Sequence, residues 1–336
     1  MIPKVAVYSI AKNEEQFIER YYNSCKDADL IIVGVCDDTT DNTKELLSKY
    51  NIQVIDISVH PWRFDVARNI VLDAIPDDID ICISLDLDEV LLKGWRDGLN
   101  SVYKPEYTSI RYPYIFSWQD KEMKKPFISQ QGFKIHKPKA YKWQYPIHEI
   151  LVPLVEENVI STTKIQINHY PDYSKERPYQ GLLDLACQEN PLDTRMSYLR
   201  GRELFRFGRY DEAIEELNHY LHIFKTDYTK PYEYQERASA FRLIGRCKFN
   251  KGDNPYEILQ CMIRSLAEAP TSSREAWFWL GEAFTIVENY PSAYSAYLNA
   301  SMITDKKMSY ECEEVCWDNY RLNKNIERCI KKMNGR

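Results

Sequence analysis

Residues 81–92 read ICISLDLDEVLL, an apolar and strand-forming run that carries the carboxylates of Asp86, Asp88 and Glu89 in its middle. A buried carboxylate without a partner costs several kcal/mol, so a chain that places three at the end of a core strand must supply cations there. On an extended backbone Asp86 and Asp88 face the same side and can share one divalent cation. A solvated strand end or a helix cap is the alternative interpretation of this motif.

The segments before residue 81 alternate between strand and helix patterns. Runs rich in Val and Ile begin near residues 4, 30 and 52, and helical patterns separate them. Such an alternation predicts a parallel sheet covered on both faces, with its ligand site at the carboxyl edge, where the acidic motif falls. From about residue 104 to 170, short aromatic-rich strands predict antiparallel additions that build a pocket wall.

The composition is that of a globular chain of 336 residues, long enough for two domains. A formal net charge of −6 gives no overall basic footprint for nucleic acid. Nine cysteines without paired CxxC spacing favour reduced thiols over disulfides or a zinc cluster. No run of about 18 apolar residues occurs, and polar residues come too early for a signal peptide. We therefore expect a soluble, cytoplasmic protein without a transmembrane segment.

The last part of the chain has a helical pattern with an internal repeat. Three stretches align with Gly201, Gly245 and Gly281 in the same place, and Ala213 and Ala293 recur about twelve residues later. Small residues let paired helices approach closely, and this spacing is typical of a tetratricopeptide array. An unrelated helical bundle is the alternative. We expect a catalytic domain at 1–172, a linker at 173–194 and helical repeats at 195–336.

Four motifs occur in order and are all expected at one edge of the sheet: VAVYSIAKNEE, CDDTTDNT, HPWRFDVARN and SLDLDE. Together they resemble the nucleotide-sugar glycosyltransferases of family 2, which have the GT-A fold, and in particular the subgroup with a tetratricopeptide tail. The resemblance spans nearly the whole chain. It implies an α/β GT-A domain with a mostly parallel sheet, followed by an all-α tetratricopeptide-like domain. It also implies a metal-dependent, inverting hexosyl- or pentosyltransferase that uses a nucleoside-diphosphate sugar, with a UDP-sugar favoured.

The resemblance assigns residues to the donor. Ala11 and Asn13 lie in the turn that receives the nucleoside, and Asp37 matches the acid that hydrogen-bonds the base edge. A turn that caps the next helix is the alternative role of Asp37. Arg68 matches the residue that meets the diphosphate, with an exposed helix arginine as its alternative. Asp86 contacts the ribose or the donor sugar.

The resemblance also assigns the metal and the catalytic base. Asp88 of the Asp-x-Asp (DXD) motif would hold Mn²⁺ or Mg²⁺ against the two phosphates, and His169 in INHY would be a further protein ligand. Glu149 in YPIHEIL would take the acceptor's proton. The commonest family form has Glu-Asp at this place and often an Arg-Trp pair later; here HE replaces the first and the second is absent. His148 is the competing metal ligand.

The sequence says less about the acceptor than about the donor. A tetratricopeptide groove suits a protein or peptide, surface glycan assembly is another use of the family, and a modified DNA base is a third, with the host cytoplasm as location if the chain is virus-encoded. A lysine run interleaved with aromatics would suit a polyanion, and a solvated loop is its alternative. Its members are Lys121, Lys124, Lys125, Lys134, Lys137, Lys139 and Lys142.

Two functions of different classes remain open. The first is the glycosyltransferase. The second is a repeat-based protein-binding module whose α/β domain senses a nucleotide sugar without catalysis. The helical repeats have their own alternative role, as a scaffold through which two copies of the chain form a homodimer.

Overall fold

The computed structural model describes residues 2–174, 179–224, 231–269, 273–305 and 313–335. The chain divides into two compact units, Met1–Pro178 and Tyr179–Arg336. The first unit combines strands and helices, and every regular element described in the second is a helix. This order confirms the predicted fold class, an α/β domain consistent with GT-A followed by an all-helical region.

The first half of the N-terminal unit is a parallel sheet with helical crossovers. Its strands run in the spatial order β3–β2–β1–β4, and each neighbouring pair is parallel. Val5 and Val7 of β1 enter the core on one face, and Ala6 and Tyr8 enter the core on the other. The near-continuous apolar pattern is thus explained by burial on both faces. The elements are β1 (Val5–Ala11), α1 (Ile18–Cys25), β2 (Leu30–Cys36), α2 (Thr43–Lys49), β3 (Gln53–Ile57), α3 (Phe64–Asp73) and β4 (Ile81–Ser84).

The second half of the unit extends this sheet in the order β4–β7–β6–β11–β5, with β10 beside β6. Strand β7 is antiparallel to β4 and β6, and β5 is antiparallel to β11, whereas β10 and β11 run parallel to β6. The expectation of antiparallel additions is therefore confirmed for β5 and β7 and wrong for β10 and β11. The elements are β5 (Glu89–Leu91), α4 (Trp95–Val102), β6 (Ser109–Trp118), β7 (Pro126–His136), β8 (Tyr141–Gln144), β9 (Ile150–Pro153), β10 (Val159–Ser161) and β11 (Ile167–His169), with β8 and β9 paired separately.

The acidic motif lies in a turn after β4. The strand ends at Ser84, and the Glu89 backbone N–H donates to the Asp86 carbonyl at 2.9 Å, which closes the turn into β5. Leu85 and Leu87 are buried in the core. The prediction that Asp86 and Asp88 share one face of an extended strand is wrong, because the turn sends the two carboxylates to different partners.

The C-terminal unit is a succession of helices. Helix α5 lies inside the segment that the sequence predicts as a linker. No helix among the described residues is long and apolar enough to cross a membrane. The helices are α5 (Gln180–Glu189), α6 (Thr194–Arg206), α7 (Tyr210–Ile223), α8 (Pro231–Lys251), α9 (Pro255–Glu268), α10 (Arg274–Ile286), α11 (Tyr290–Met302), α12 (Glu314–Trp317) and α13 (Asn319–Met333).

The repeat glycines lie where the two helices of a pair come closest. A Cβ atom added to any of them would fall 2.6–2.7 Å from a side-chain atom of the partner helix, closer than real Cβ contacts allow. Ala213 and Ala293, on the second helices, are fully buried. These contacts agree with the tetratricopeptide-like repeat that the sequence predicts. The pairs in contact are Gly201 with Leu217, Gly245 with Met262 and Gly281 with Tyr297.

Candidate active site

Asp86 is held between two cations, the buried Arg68 and the half-buried Lys134. Its Oδ1 lies 2.7 Å from Arg68 Nη2, and its Oδ2 lies 2.7 Å from Lys134 Nζ. Burial alone would raise the pKa of Asp86, but the two cations outweigh burial and hold that pKa well below its usual range. Protein cations therefore compensate the first carboxylate of the motif.

Lys134 lies in β7 and also serves Glu89. Its Nζ is 2.9 Å from Glu89 Oε1, and that buried carboxylate accepts from the Tyr114 hydroxyl at 2.6 Å and from the Asp86 backbone N–H at 2.9 Å. Burial would lower the pKa of Lys134, but Asp86 and Glu89 outweigh burial and raise it. The assignment of Lys134 to a lysine-rich binding surface is therefore wrong, because its ammonium group is an internal counter-ion.

Arg68 connects Asp86 with the predicted base. It lies on the inner face of α3, is 5% exposed, and donates from Nε to Glu149 Oε1 at 2.7 Å. Its guanidinium lies 4.9 Å from the Trp143 ring centroid, over the ring face. Burial would lower the pKa of Arg68, but Asp86 and Glu149 outweigh burial and raise it. The exposed-helix alternative for Arg68 is wrong, and its contact with a diphosphate stays a prediction.

Glu149 reaches Arg68 from the irregular segment between β8 and β9. Tyr145 and His148 have positive φ angles of 84° and 50°, so the backbone turns sharply there. The Phe64 backbone N–H donates to the Pro146 carbonyl at 3.0 Å and ties this segment to the start of α3. Glu149 and Arg68, 81 residues apart in sequence, are brought together in this way.

Asp88 faces the predicted metal-binding histidine. The distance between Asp88 Oδ2 and His169 Nε2 is 3.2 Å, and His169 Nδ1 lies 3.1 Å from the Phe116 carbonyl oxygen. Strand pairing of β11 with β5 sets this position, because His169 is in register with Glu89. The structure therefore brings together two residues that the family resemblance linked across 81 positions.

The two contacts of His169 constrain its protonation. A carbonyl oxygen only accepts, so Nδ1 must carry a hydrogen, and a neutral ring then presents the Nε2 lone pair to the Asp88 carboxylate. Two acceptors at 3.2 Å need a cation between them, either a proton on Nε2 or a metal ion. Burial would lower the pKa of His169, but the hydrogen bond and charge of Asp88 outweigh it and raise that pKa.

The pair fits a divalent cation in its chemistry. A backbone carbonyl on Nδ1 is the usual outer partner of a metal-binding histidine, since it directs Nε2 at the metal. Within the described ranges, no group of three or more His, Cys, Asp or Glu side chains is placed to hold a metal. Asp88 and His169 would therefore supply two protein ligands, and the remaining positions would be left to substrate or water.

Asn13 stabilises the loop after β2. Its φ angle is 54°, a left-handed conformation that asparagine tolerates, and its Oδ1 accepts from the Thr40 backbone N–H at 2.8 Å. Ala11, at the end of β1, is buried. Both residues lie at the carboxyl edge of the sheet, as the sequence predicts, and their contact with a nucleoside stays a prediction.

Asp37 follows β2 at the same edge. Its Oδ2 lies 3.0 Å from His60 Nε2, and hydrogen bonds from Ser58 and His60 lower its pKa. The carboxylate thus remains an ionised acceptor with a partly exposed surface. Asp37 does not cap α2, because the helix begins at Thr43 and its N-cap position is Asn42. The Thr43 backbone N–H donates to Asp41 Oδ1 at 3.0 Å. This leaves the side chain of Asp37 available for a ligand.

The described site is a continuous chain of contacts. The Tyr114 ring stacks on His169, with centroids 6.5 Å apart, and its hydroxyl bonds to Glu89, which joins the Asp88–His169 pair to the Asp86 cluster. Sequence reasoning missed Lys134 and Tyr114 as members. No local signal marks Lys134, because on a strand its neighbours Phe133 and Ile135 point to the opposite face. The members in spatial order are Glu149, Arg68, Asp86, Lys134, Glu89, Tyr114, His169 and Asp88.

The sheet and its acidic edge are consistent with the GT-A fold. The model of glycosyl transferase family 2 matches residues 7–148, which include β2, β3, β4, most of β1, Arg68 and the acidic motif. This match confirms, for residues 7–148, the family resemblance that the sequence motifs indicated. The match supports glycosyl transfer as the general function. No protein of curated function matches the chain.

Solved structures similar to this chain include three of MamA. The crystal structure of MamA protein has 16% identity and a TM-score of 0.35, and the match covers 46% of this chain and 71% of that one. A second crystal structure of MamA has 17% identity and a TM-score of 0.32, with 49% and 97% covered. MamA MSR-1 C2 has 14% identity and a TM-score of 0.29, with 37% and 64% covered. Similarity this low says nothing about function.

Proposed function

We propose that the protein is a metal-dependent, inverting glycosyltransferase that moves a hexose or pentose from a UDP-sugar to an acceptor. The observation that carries this proposal is the pair of Asp88 and His169, whose side chains face each other at 3.2 Å around a place for a cation. A carboxylate that faces an imidazole directed by a backbone carbonyl is an arrangement that would suit a metal ion, and this supports the proposal.

Asp88 and His169 are the residues that would hold Mn²⁺ or Mg²⁺. The imidazole favours Mn²⁺, because Mg²⁺ is bound mainly through oxygen ligands. When bound, the ion would neutralise charge that develops on the leaving diphosphate. Trp118 supports this pair, since its indole N–H donates to the His169 carbonyl at 2.6 Å and holds the end of β11 in place.

Glu149 is proposed as the base that takes the acceptor's proton. The hydrogen bond from Arg68 Nε goes to Glu149 Oε1. Arg68 thus orients the carboxyl group through one oxygen, and Oε2 is proposed to accept the proton of an incoming hydroxyl. The orientation is firm, because Arg68 is itself held by Asp86 and by the face of Trp143.

The donor's nucleoside is proposed to lie at the ends of β1 and β2. Ala11 offers little side chain, so a base can approach the backbone there, and Asp37 presents an ionised acceptor to the base edge. Asn13 would act by fixing the loop around Thr40. Asp86 is proposed to hold Arg68 and the turn in place. It would contact the ribose or the donor sugar after its ion pairs with Arg68 and Lys134 had rearranged.

For the acceptor we propose a protein, peptide or glycan in preference to a modified DNA base. Lys134 is internal, Lys124 pairs with Glu122 and Lys139 pairs with Asp77, so the lysine-rich segment offers less free charge than its sequence suggests. A steep loss of transfer with salt would instead support a nucleic acid. Pairing of two copies through the helical unit and a cytoplasmic location also stay predictions.

The ion pair between Arg68 and Glu149 favours a second candidate, a repeat-based binding module that senses a nucleotide sugar. A carboxylate that accepts from a buried arginine can be purely structural. Glu149→Gln separates the two functions. The enzyme should keep nucleotide affinity and lose donor turnover, whereas the sensor has no turnover to lose.

Calorimetry against UDP, GDP, UDP-sugars and GDP-sugars, with Mn²⁺, with Mg²⁺ and with chelator, tests the proposal. We expect metal-dependent binding of one nucleotide that Asp88→Ala abolishes. Asp73→Ala is the matched control, because this exposed carboxylate lies at the far end of α3. Absence of nucleotide binding under every metal condition would overturn the proposal, and so would equal binding by Asp88→Ala.

A further inference from the structure

Arg20, on the first turn of α1, is an exposed cation held in a stack of aromatic rings. Its guanidinium carbon lies 5.0 Å from the Phe17 ring centroid and 5.1 Å from that of Tyr170. Trp118 stacks on Tyr170, with ring centroids 5.1 Å apart and an interplanar angle of 17°. The rings therefore hold the position of the guanidinium, while the Arg20 side chain remains exposed.

This stack lies beside the Asp88–His169 pair. The Tyr170 backbone N–H donates to the Asp88 carbonyl at 2.8 Å, and Arg20 Nη2 lies 3.5 Å from the Tyr170 carbonyl oxygen. Partial burial lowers the pKa of Arg20 from its ordinary value, although the charge of Asp88 opposes this. An anionic ligand beside Arg20 would relieve that destabilisation of the charged form.

The other cations at this edge of the sheet already face carboxylates. Arg68 and Lys134 compensate the acidic motif and Glu149, and Lys12 pairs with Asp38. Among the residues that the structure describes, none places a carboxylate within ion-pair distance of Arg20. The diphosphate gains a further negative charge as the sugar leaves, and the released nucleoside diphosphate then carries more charge than one divalent cation neutralises. A second cation would stabilise that charge.

We propose that Arg20 binds the diphosphate of the donor, the role that sequence reasoning gave to Arg68. The inference rests on the proposed function and names a phosphate-binding residue for the same site. The guanidinium offers a planar pair of N–H donors, which matches two phosphate oxygens, and its ring partners hold it ready in that geometry. Arg68 then remains the internal support of Asp86 and Glu149.

Calorimetry of Arg20→Ala and Arg20→Lys with uridine, UMP and UDP, each with Mn²⁺, tests this assignment. Arg20→Ala should weaken UDP by about tenfold or more, since a charge-assisted contact is lost, and leave uridine unchanged. Arg20→Lys should fall between, because it keeps the charge and loses the fork and the stacking. Lys26→Ala is the matched control, an exposed cation at the other end of α1 that should leave all three affinities unchanged.

The possible results distinguish a failure of the Arg20 assignment from a failure of the proposed function. If the native protein binds UDP only with metal and Arg20→Ala binds it equally well, the assignment of Arg20 is wrong and the proposed function stands. An equal loss for uridine and UDP would also overturn it, because that pattern indicates a structural role of the stack. If the native protein binds no nucleotide at all, the proposed function and the inference fail together.

Discussion

Both units of this protein hold a half-buried carboxylate between two cations, but the surroundings of the two carboxylates differ. In the helical unit, Glu313 lies 3.0 Å from Arg242 and 2.6 Å from Arg246, and it also accepts from the Trp279 indole N–H at 3.0 Å. Arg246 is itself sandwiched between Phe205 and Trp279, 4.6 Å from each ring centroid. Each oxygen of Glu313 thus has a strong donor, and the cluster is closed.

The sheet edge of the N-terminal unit is not closed in this way. Arg68 and Lys134 are the permanent cations of the chain of contacts described above, and they face more carboxylates than they can neutralise. Asp88 and His169 are left as two acceptors that need a proton or a metal between them. A cluster in which every carboxylate oxygen has a donor, as around Glu313, stabilises the fold. A cluster with more carboxylates than cations, as at the sheet edge, can in addition bind a further cation.

The largest expected effect is the loss of stability when Asp86 is replaced. Asp86→Ala leaves Arg68 and Lys134 without one counter-ion, so we expect the N-terminal unit to lose about 3 to 5 kcal/mol of unfolding free energy. Urea denaturation measures this loss. Asp88→Ala is the control and should cost about 1 kcal/mol or less, because His169 can release its proton. Equal losses for the two variants would contradict the division of the motif into a structural and a binding carboxylate.

Acid should weaken the N-terminal unit selectively. His136 is fully buried, where its ring Nε2 contacts the Tyr8 hydroxyl at 2.9 Å, and burial lowers its pKa from 6.5 to about 4. The unfolded chain binds a proton that the folded chain excludes between these values. Stability is therefore present above pH 6.5 and decreases by about 3 kcal/mol as the pH falls toward 4.

Unfolding free energies measured from pH 7 to pH 4 check this dependence. His136→Gln should remove the part of the slope due to this group. His219 and His222 of the helical unit are exposed, unlike His136. The same pH dependence in the variant would show that other groups cause it.

The smallest expected loss of stability comes from replacing Glu313 in the closed cluster of the helical unit. Glu313→Ala should destabilise the helical unit by about 2 kcal/mol, because Arg242 and the Trp279 N–H lose a buried acceptor. Metal-dependent nucleotide affinity should not change, since the residues proposed to bind the donor all lie in the N-terminal unit. Thermal unfolding and calorimetry on the same preparation measure both. A loss of nucleotide affinity would break the comparison, because the closed cluster would then contribute to binding.

The fold and the edge location of the site were predictable because they depend on local patterns. Val and Ile runs separated by helical segments indicate a parallel sheet, and the order of the strands places Asp37 and Asp86 at one edge. His169 and Glu149 came from the family resemblance, since no local pattern links them to Asp88. The glycine positions of the repeats were also readable, because close backbone approach requires a small residue.

The distribution of charge within the site was not predictable. The turn at Asp86 decides which carboxylate faces Arg68, and an Asp-x-Asp pattern at the end of a strand does not predict this turn. Lys134 is indistinguishable in sequence from its solvated neighbours until β7 is placed beside β4 and β6. Arg20 gave no signal, because its environment is made by Phe17 and by Tyr170, 150 residues away.

The repeat glycines show what the three helix pairs have in common. The glycine of each pair meets a different side chain, that of Leu217, Met262 or Tyr297. The shared property is thus the separation of the two backbones, and the side chain that fills the gap is particular to its position along the array. A methyl group added at each glycine would meet a different side chain, so the same Gly→Ala substitution would strain each helix pair through a different contact.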